Sequence, residues 1–289
     1  MSTPSERITP GMLRAWPLPA PSGSKKSRGE VLVIGGARRS PGAAQLAGRA
    51  ALRVGAGRLT LAVGASVAPA VAVALPECGI VALDETRDGH VRGASVRRAA
   101  ADVAGADAVL VGPGLDDAAE TRRLLQRLAG LWSPGTTAVL DAYALGALAG
   151  HPHLGRRGSR GRSRILTPNQ EEAARLLGHE VRDLERAALQ LARRYDAVVS
   201  CFGRIASPNG RLFTVGDGSP GLGTSGSGDA LAGAIAGLAA RGCDPLQAAV
   251  WGTYLHAAAG KTLSDHVGSL GFLATEIVER LPREITAVG

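Results

Sequence analysis

The sequence has few aromatic residues: phenylalanine, tryptophan and tyrosine together make up 3% of 289 residues. Its core must then be built from alanine, valine, leucine and glycine, with helices and strands packed close together. It has three cysteines, Cys78, Cys201 and Cys243, widely spaced and odd in number. That excludes a disulfide framework and points to a reducing compartment. The six histidines never pair at metal-ligand spacing. No apolar run reaches the roughly 18 residues of a membrane-spanning helix. Residues 1–28 mix Pro, Ser, Lys and Arg with no apolar stretch, so no signal peptide is expected. A Walker A motif is absent, which excludes a P-loop protein. The net charge of +8 comes without stacked aromatics, zinc spacing or a helix-turn-helix signal. The expectation is a cytoplasmic protein with no nucleic-acid partner and no membrane, whose basic excess suits anionic small ligands.

What is present is an alternation. Short apolar runs at 30–35, 58–63, 106–111, 137–141, 164–167 and 197–201 read as buried strands. Helical stretches at 42–54, 66–75, 117–130, 143–149, 170–177 and 183–194 lie between most of them. This alternation predicts a mostly parallel sheet covered on both faces, a three-layer α/β/α domain. Residues 205–215 read as a hairpin around Pro208-Asn209-Gly210, and 230–280 as helical. The polar and glycine-rich signals sit at strand ends: Gly35-Gly36, Gly112-Pro113-Gly114, Asp141 and Thr167-Pro168-Asn169. In an open α/β sheet ligands bind at the carboxyl ends of the strands, so these should converge. Residues 1–24 read as a loose N-terminal tail and 25–289 as one domain.

The most informative stretch is Gly221-Leu222-Gly223-Thr224-Ser225-Gly226-Ser227-Gly228-Asp229. Its glycines, at 221, 223, 226 and 228, let the backbone turn and approach a ligand closely. An apolar run, Ala230 to Ala240, follows as a buried helix. A glycine turn opening a helix aims unpaired N–H groups at an anion. Asp229 stands at the helix start, where the macrodipole favours its ionised form. A carboxylate beside bound phosphate is what a base needs to deprotonate a hydroxyl that attacks phosphorus. The plainer reading is a turn with Asp229 as an N-terminal cap. A Gly-x-Gly-x-x-Gly match at Gly221, Gly223 and Gly226 is misplaced for a dinucleotide fingerprint, because no suitable strand follows it.

Gly226-Ser227-Gly228-Asp229 opening a C-terminal helix resembles the anion-hole motif of the ribokinase-like superfamily. Within it the chain is similar to the ADP- or ATP-dependent NAD(P)H-hydrate dehydratases. The resemblance covers about residues 24–285. It runs through Gly29 to Gly36 with Gly42 to Ala47, Ala51 to Gly57, and Val111 to Leu115. Leu140-Asp141-Ala142, Leu166-Thr167-Pro168 and Gly252 to His256 continue it.

That resemblance implies a ribokinase-like fold and a repair reaction on hydrated NADH or NADPH. ADP or ATP would be the co-substrate, held with Mg²⁺. Asp229 would be the catalytic base and would also touch substrate. Gly226, Ser227, Gly228, Gly203 and Arg204 would bind nucleotide, while Ala43, Gly114 and Asn169 would line the hydrate site. No residue is assigned as a metal ligand, and a homo-oligomer is expected. The epimerase domain that some relatives carry is not expected here, since residues 1–24 are too short to hold it.

Three segments depart from the family pattern. Its Thr-Pro-His is here Thr167-Pro168-Asn169, and its Asp-Ala-Asp is Asp141-Ala142-Tyr143. Its Leu-Lys-Gly, whose lysine region holds nucleotide phosphate, is Cys201-Phe202-Gly203. The lost cation should weaken nucleotide affinity unless Arg204 or the basic loop at 156–164 substitutes. That loop also reads as a solvated segment. Glu77 reads as a cap or a site residue, His256 as a satisfied core histidine, and Cys201 as a small core residue. Two other functions stay open at this point. One is a thiazole- or pyrimidine-alcohol kinase of the same fold; the other is a nucleotide-binding protein that has lost catalysis.

Overall fold

The computed structural model describes residues 4–20, 23–154, 163–216 and 218–289. The chain begins with β1 (Glu6–Arg7), α1 (Pro10–Ala15), β2 (Glu30–Ile34), α2 (Pro41–Arg53), β3 (Arg58–Gly64), α3 (Ala68–Ala74) and β4 (Gly79–Leu83). Next come α4 (Ala100–Gly105), β5 (Ala108–Val111), α5 (Ala118–Leu128), β6 (Thr137–Leu140), α6 (Tyr143–Leu148), β7 (Ser163–Leu166) and α7 (Gln170–Leu177). It closes with α8 (Leu184–Tyr195), β8 (Val198–Cys201), β9 (Arg204–Ala206), β10 (Leu212–Thr214), α9 (Ser227–Ala240), α10 (Pro245–His266) and α11 (Ala274–Val288).

All ten strands form one sheet in the order β1-β10-β9-β8-β7-β6-β5-β2-β3-β4. From β4 to β8 every pairing is parallel, and only β9 runs against its neighbours. The expected three-layer α/β/α architecture is therefore present. Each strand splits its side chains between two cores by the period-two rule. Val31, Val33, Leu61, Leu110, Val139 and Ile165 face α2, α9 and α10, while Leu32, Ile34, Val109, Val111, Leu140 and Leu166 face α5 to α8.

Scarcity of aromatics shows in how helices pack. A Cβ on Gly233 or Gly237 would overlap the backbone of α2 at Ala47 and Ala51. The backbones of α9 and α2 thus lie in contact, and α9 is held firmly over β5 and β6. This sets where the first turn of α9 sits at the carboxyl end of the sheet.

The N-terminal segment corrects one expectation. It is docked along residues 4–20 rather than loose. Glu6 and Arg7 pair with Phe213 and Thr214, Leu13 is buried, and the Trp16 carbonyl accepts from Trp251 Nε1 at 2.9 Å. Besides β1 and α1 in that segment, the sequence reading missed β4 and α4. β4 is a half-exposed edge strand of five residues, too short and too open to show a buried run. The basic loop at 156–164 lies outside the described residues except Ser163 and Arg164, which belong to β7. The three cysteines stand unpaired, and among the described residues no helix is long and apolar enough to cross a membrane.

Candidate active site

The carboxyl ends of β2, β5, β6, β7 and β8 carry the residues singled out above, and the sheet brings them to one edge. On the β2–β5 side two glycine loops are tied together. Gly36 N donates to the Pro113 carbonyl and Ala37 N to the Gly114 carbonyl, both at 2.9 Å. Gly114 has φ +72, and a Cβ there would lie 3.1 Å from Ala43 Cβ and overlap the Ser40 carbonyl. Ala43 and Gly114 therefore adjoin, as expected of one lining.

Asp141 follows β6 directly and is 6% exposed. Thr167 Oγ1 donates to its Oδ1 at 2.8 Å. Burial, and then the charges of Asp229 and Glu172, hold its carboxyl well above the usual carboxylate range. Ala142 has φ 48 and ψ −122, and Ala144 N donates back to the Asp141 carbonyl at 3.0 Å. This is the geometry of a type II′ turn with alanine where glycine is favoured. Such a residue costs of order 1–3 kcal/mol and persists where surrounding structure holds it.

After β7, Asn169 caps α7 in a reciprocal box. Its Oδ1 accepts from Glu172 N, and Glu172 Oε2 accepts from Asn169 N, each at 2.9 Å. The expected hydrate-lining side chain is thus partly committed to its own helix. Phe202 and Gly203 form a two-residue turn between β8 and β9, with φ 47 and 78. Both positive values mark a type I′ hairpin turn, which accounts for the shortened connection. Arg204 opens β9, and its Nε is buried with no hydrogen-bond partner among the described residues. A buried guanidinium N–H without a partner is rare and costly, so this arginine is poised for an anion.

The glycine turn behaves differently from its sequence reading in two respects. Of its four glycines only Gly226 has a positive φ, +86. Gly221 is instead filled from outside by the Phe272 ring, and a Cβ on Gly228 would meet nothing within 4 Å. α9 starts at Ser227, and no side chain caps its first turn. Ser227 N donates to the Thr224 carbonyl at 3.2 Å, and the space beside Gly228 is open, which leaves room for an anion at the start of the helix.

The second correction concerns Asp229. The helix dipole was expected to favour its charge, but desolvation wins and pushes the carboxyl up to about 6. It is then ionised at neutral pH, yet far more basic than an exposed aspartate. A base of this strength beside an anion cradle can take a proton from a hydroxyl.

His256 was read as a core histidine and is one: burial lowers it to about 4. Its Nε2 nevertheless lies 2.9 Å from Ser227 Oγ and 3.0 Å from the Ser227 carbonyl. Sequence reasoning missed this support, because 29 residues separate the two and no local pattern links them. Cys201 is buried, with its thiol pushed up to about 12, and is chemically quiet. Glu77 stands at the amino end of β4, away from the cleft. There it lines a depression with Lys25, Glu30, Arg58 and Asp102.

Comparisons with known proteins agree with this geometry. The NAD(P)H-hydrate dehydratase family matches residues 31–283. An ADP-dependent (S)-NAD(P)H-hydrate dehydratase of Xanthomonas campestris is 46% identical over 96% of this chain and 97% of its own length. The bifunctional NAD(P)H-hydrate repair enzyme Nnr of Escherichia coli is 31% identical over 97% of this chain. The match spans only 52% of that longer protein. Among solved structures, the ADP/ATP-dependent NAD(P)H-hydrate dehydratase of Bacillus subtilis, co-crystallised with ATP/Mg²⁺, superposes with a TM-score of 0.82. It is 28% identical and covers 99% of both chains.

Proposed function

Because this chain belongs to the NAD(P)H-hydrate dehydratase family, we propose that it dehydrates hydrated NADH and NADPH at the expense of ADP or ATP. The observation that carries the mechanism is Asp229, raised to about 6 by burial, in the first turn of an uncapped helix. Hydroxide is a poor leaving group, and phosphorylation converts it into a good one. Asp229 takes the proton of the ring hydroxyl. The oxygen so exposed attacks the terminal phosphorus of the nucleotide, which departs one phosphoryl group shorter. The ring carbon–oxygen bond then breaks with its electron pair on phosphate, and loss of a ring proton restores the dihydronicotinamide.

The chain's own residues divide this work between two sides of the cleft. Ala43 and Gly114 line the hydrate side, with Asn169 at the rim. Gly226 and Gly228 present backbone N–H groups to phosphate beside Ser227, whose own N–H is held by the Thr224 carbonyl, and Gly203 with Arg204 adds a cation from the β8–β9 turn. Asp141, its carboxyl raised by burial and by the charges of Asp229 and Glu172, lies at the same edge of the sheet.

Mg²⁺ fits this site as an ion shared with phosphate. Among the described residues no cluster of three ligands could hold a metal alone. The charges of Asp229 and Glu172 nevertheless reach Asp141 and, after burial, help raise its carboxyl. Mg²⁺ favours few carboxylates, several waters and substrate phosphates, which matches that arrangement. Asp229 and Asp141 are the residues that would face it, and its chemistry is neutralisation of charge on the transferring phosphoryl group.

The test is an assay of the purified protein with NADH or NADPH hydrate, Mg²⁺ and either ADP or ATP. Return of reduced-nicotinamide absorbance, with one inorganic phosphate per ring, is the expected outcome. A stable phosphoester product, or nucleotide binding without turnover, would overturn the reading.

A further inference from the structure

The chain has nine aromatic residues. Seven are buried or half-buried, and only Tyr143 and Phe202 are largely open, at 43% and 67% exposure. Both lie just past the carboxyl end of a strand, on the edge that holds the site. Each also coincides with a left-handed backbone position: Phe202 itself at φ 47, and Ala142 immediately before Tyr143 at φ 48. A chain that hides its other aromatics leaves these two exposed on the sheet edge that holds the site, on or next to backbone that costs energy to form.

The two rings are on different sides. Phe202 is in the β8–β9 turn beside Arg204, on the nucleotide side. Tyr143 belongs to the hydrate side by direct contact of backbone. A Cβ on Gly112 would overlap the Asp141 carbonyl and lie 3.3 Å from Ala144 Cβ. The Asp141–Ala144 turn thus rests on the Gly112-Pro113-Gly114 loop, and that loop rests on Ala43. Tyr143 is the second central residue of that turn, two positions from Asp141. Its hydroxyl has no hydrogen-bond partner among the described residues.

Resting on the function proposed above, we propose that Tyr143 is a substrate-contacting residue whose ring packs against the hydrated nicotinamide. A flat apolar ring held at the mouth covers one face of the substrate ring and screens it from water. The type II′ turn at Ala142 orients it, because the first residue of α6 is fixed on both sides by the Asp141–Ala144 bond. The contact uses the aromatic face and not the hydroxyl.

Two readouts test this. In steady state, Tyr143→Ala lowers kcat/KM for the hydrate about tenfold and leaves KM for ADP unchanged, while Tyr143→Phe stays within about twofold of wild type. At equilibrium, NADPH binding followed by nicotinamide fluorescence weakens about as much in Tyr143→Ala and not in Tyr143→Phe. Tyr143→Leu, which keeps the bulk, loses affinity like the alanine variant. The inference is overturned if KM for ADP rises while the hydrate values stay unchanged, or if Tyr143→Phe fails like Tyr143→Ala. It is also overturned if all variants match wild type. Absence of turnover in the wild-type protein would instead strike the proposed function, and the NADPH binding series would still decide the role of Tyr143.

Discussion

His256 Nε2 lies 2.9 Å from Ser227 Oγ, and so a half-buried residue of α10 holds the first residue of α9. Burial keeps the imidazole neutral at any pH above about 4. It therefore serves as a fixed hydrogen-bond partner and not as a titrating one. The N–H groups that face phosphate belong to the same turn as Ser227, so their direction depends on this contact.

Replacing His256 with Phe should leave a buried Ser227 hydroxyl unpaired. Loss of such a partner costs about 1–3 kcal/mol. The expected result is a lower melting temperature and an ADP dissociation constant raised about tenfold, measured by calorimetry. Unchanged ADP affinity would mean that the cradle holds its shape without the histidine.

Asp229→Asn should lower kcat by about 10² or more while nucleotide still binds, since only the carboxylate can accept the proton. The pH dependence carries a sign. The folded pKa of about 6 exceeds the ordinary 3.8, so ionising Asp229 costs the folded state. That cost is absent below about pH 4, grows between the two values and is complete above about 6. Asp229→Asn should therefore stabilise the protein by about 2–3 kcal/mol at pH 8 and by almost nothing at pH 3.5. Wild-type turnover should fall as pH drops through about 6. A flat acid limb would remove Asp229 from the proton-transfer step.

The two glycines of the turn should fail differently. Gly226→Ala forces a side chain onto φ +86 and brings its Cβ to 2.5 Å from Leu46 Cδ1, so it should unfold at lower temperature. Gly228→Val meets no neighbour and should leave the melting temperature nearly unchanged while weakening ADP binding, because the new branch fills the space left for phosphate. Loss of stability in Gly228→Val with intact ADP binding would place the anion elsewhere.

Arg204→Ala should raise the ADP or ATP dissociation constant about tenfold or more, the value of one charge-assisted hydrogen bond. The loss should be larger at low salt, where screening is weak. An unchanged constant would shift the missing cation to another basic segment.

Much of this site was legible in the sequence because its parts are local. A glycine turn followed at once by an apolar helix fixes an uncapped N-terminus, and Asp229 is its third residue wherever the helix lies. Asp141 and Thr167 end apolar runs, and strand ends face the cleft in any open parallel sheet. The same locality explains the misses. β4 is a half-exposed edge strand whose place is set by its neighbour β3. The segment at 4–20 is proline-rich and carries no clear strand or helix period, and only pairing of Glu6 with Phe213 and burial of Leu13 reveal that it is docked.

The sequence by itself determined the alternation of strand and helix, the two-faced sheet and the anion turn, since each follows from periodicity or from glycine within a few residues. Only the tertiary structure decided the chemistry of the carboxylates. The helix dipole argued for an ordinary, easily ionised Asp229, but the walls around it come from distant segments, and desolvation outweighs the dipole. The Asp141 carboxyl is raised by burial and by the fields of Asp229 and Glu172, residues 88 and 31 positions away by their numbers. Charge interactions and burial act through space, and no window of sequence contains them.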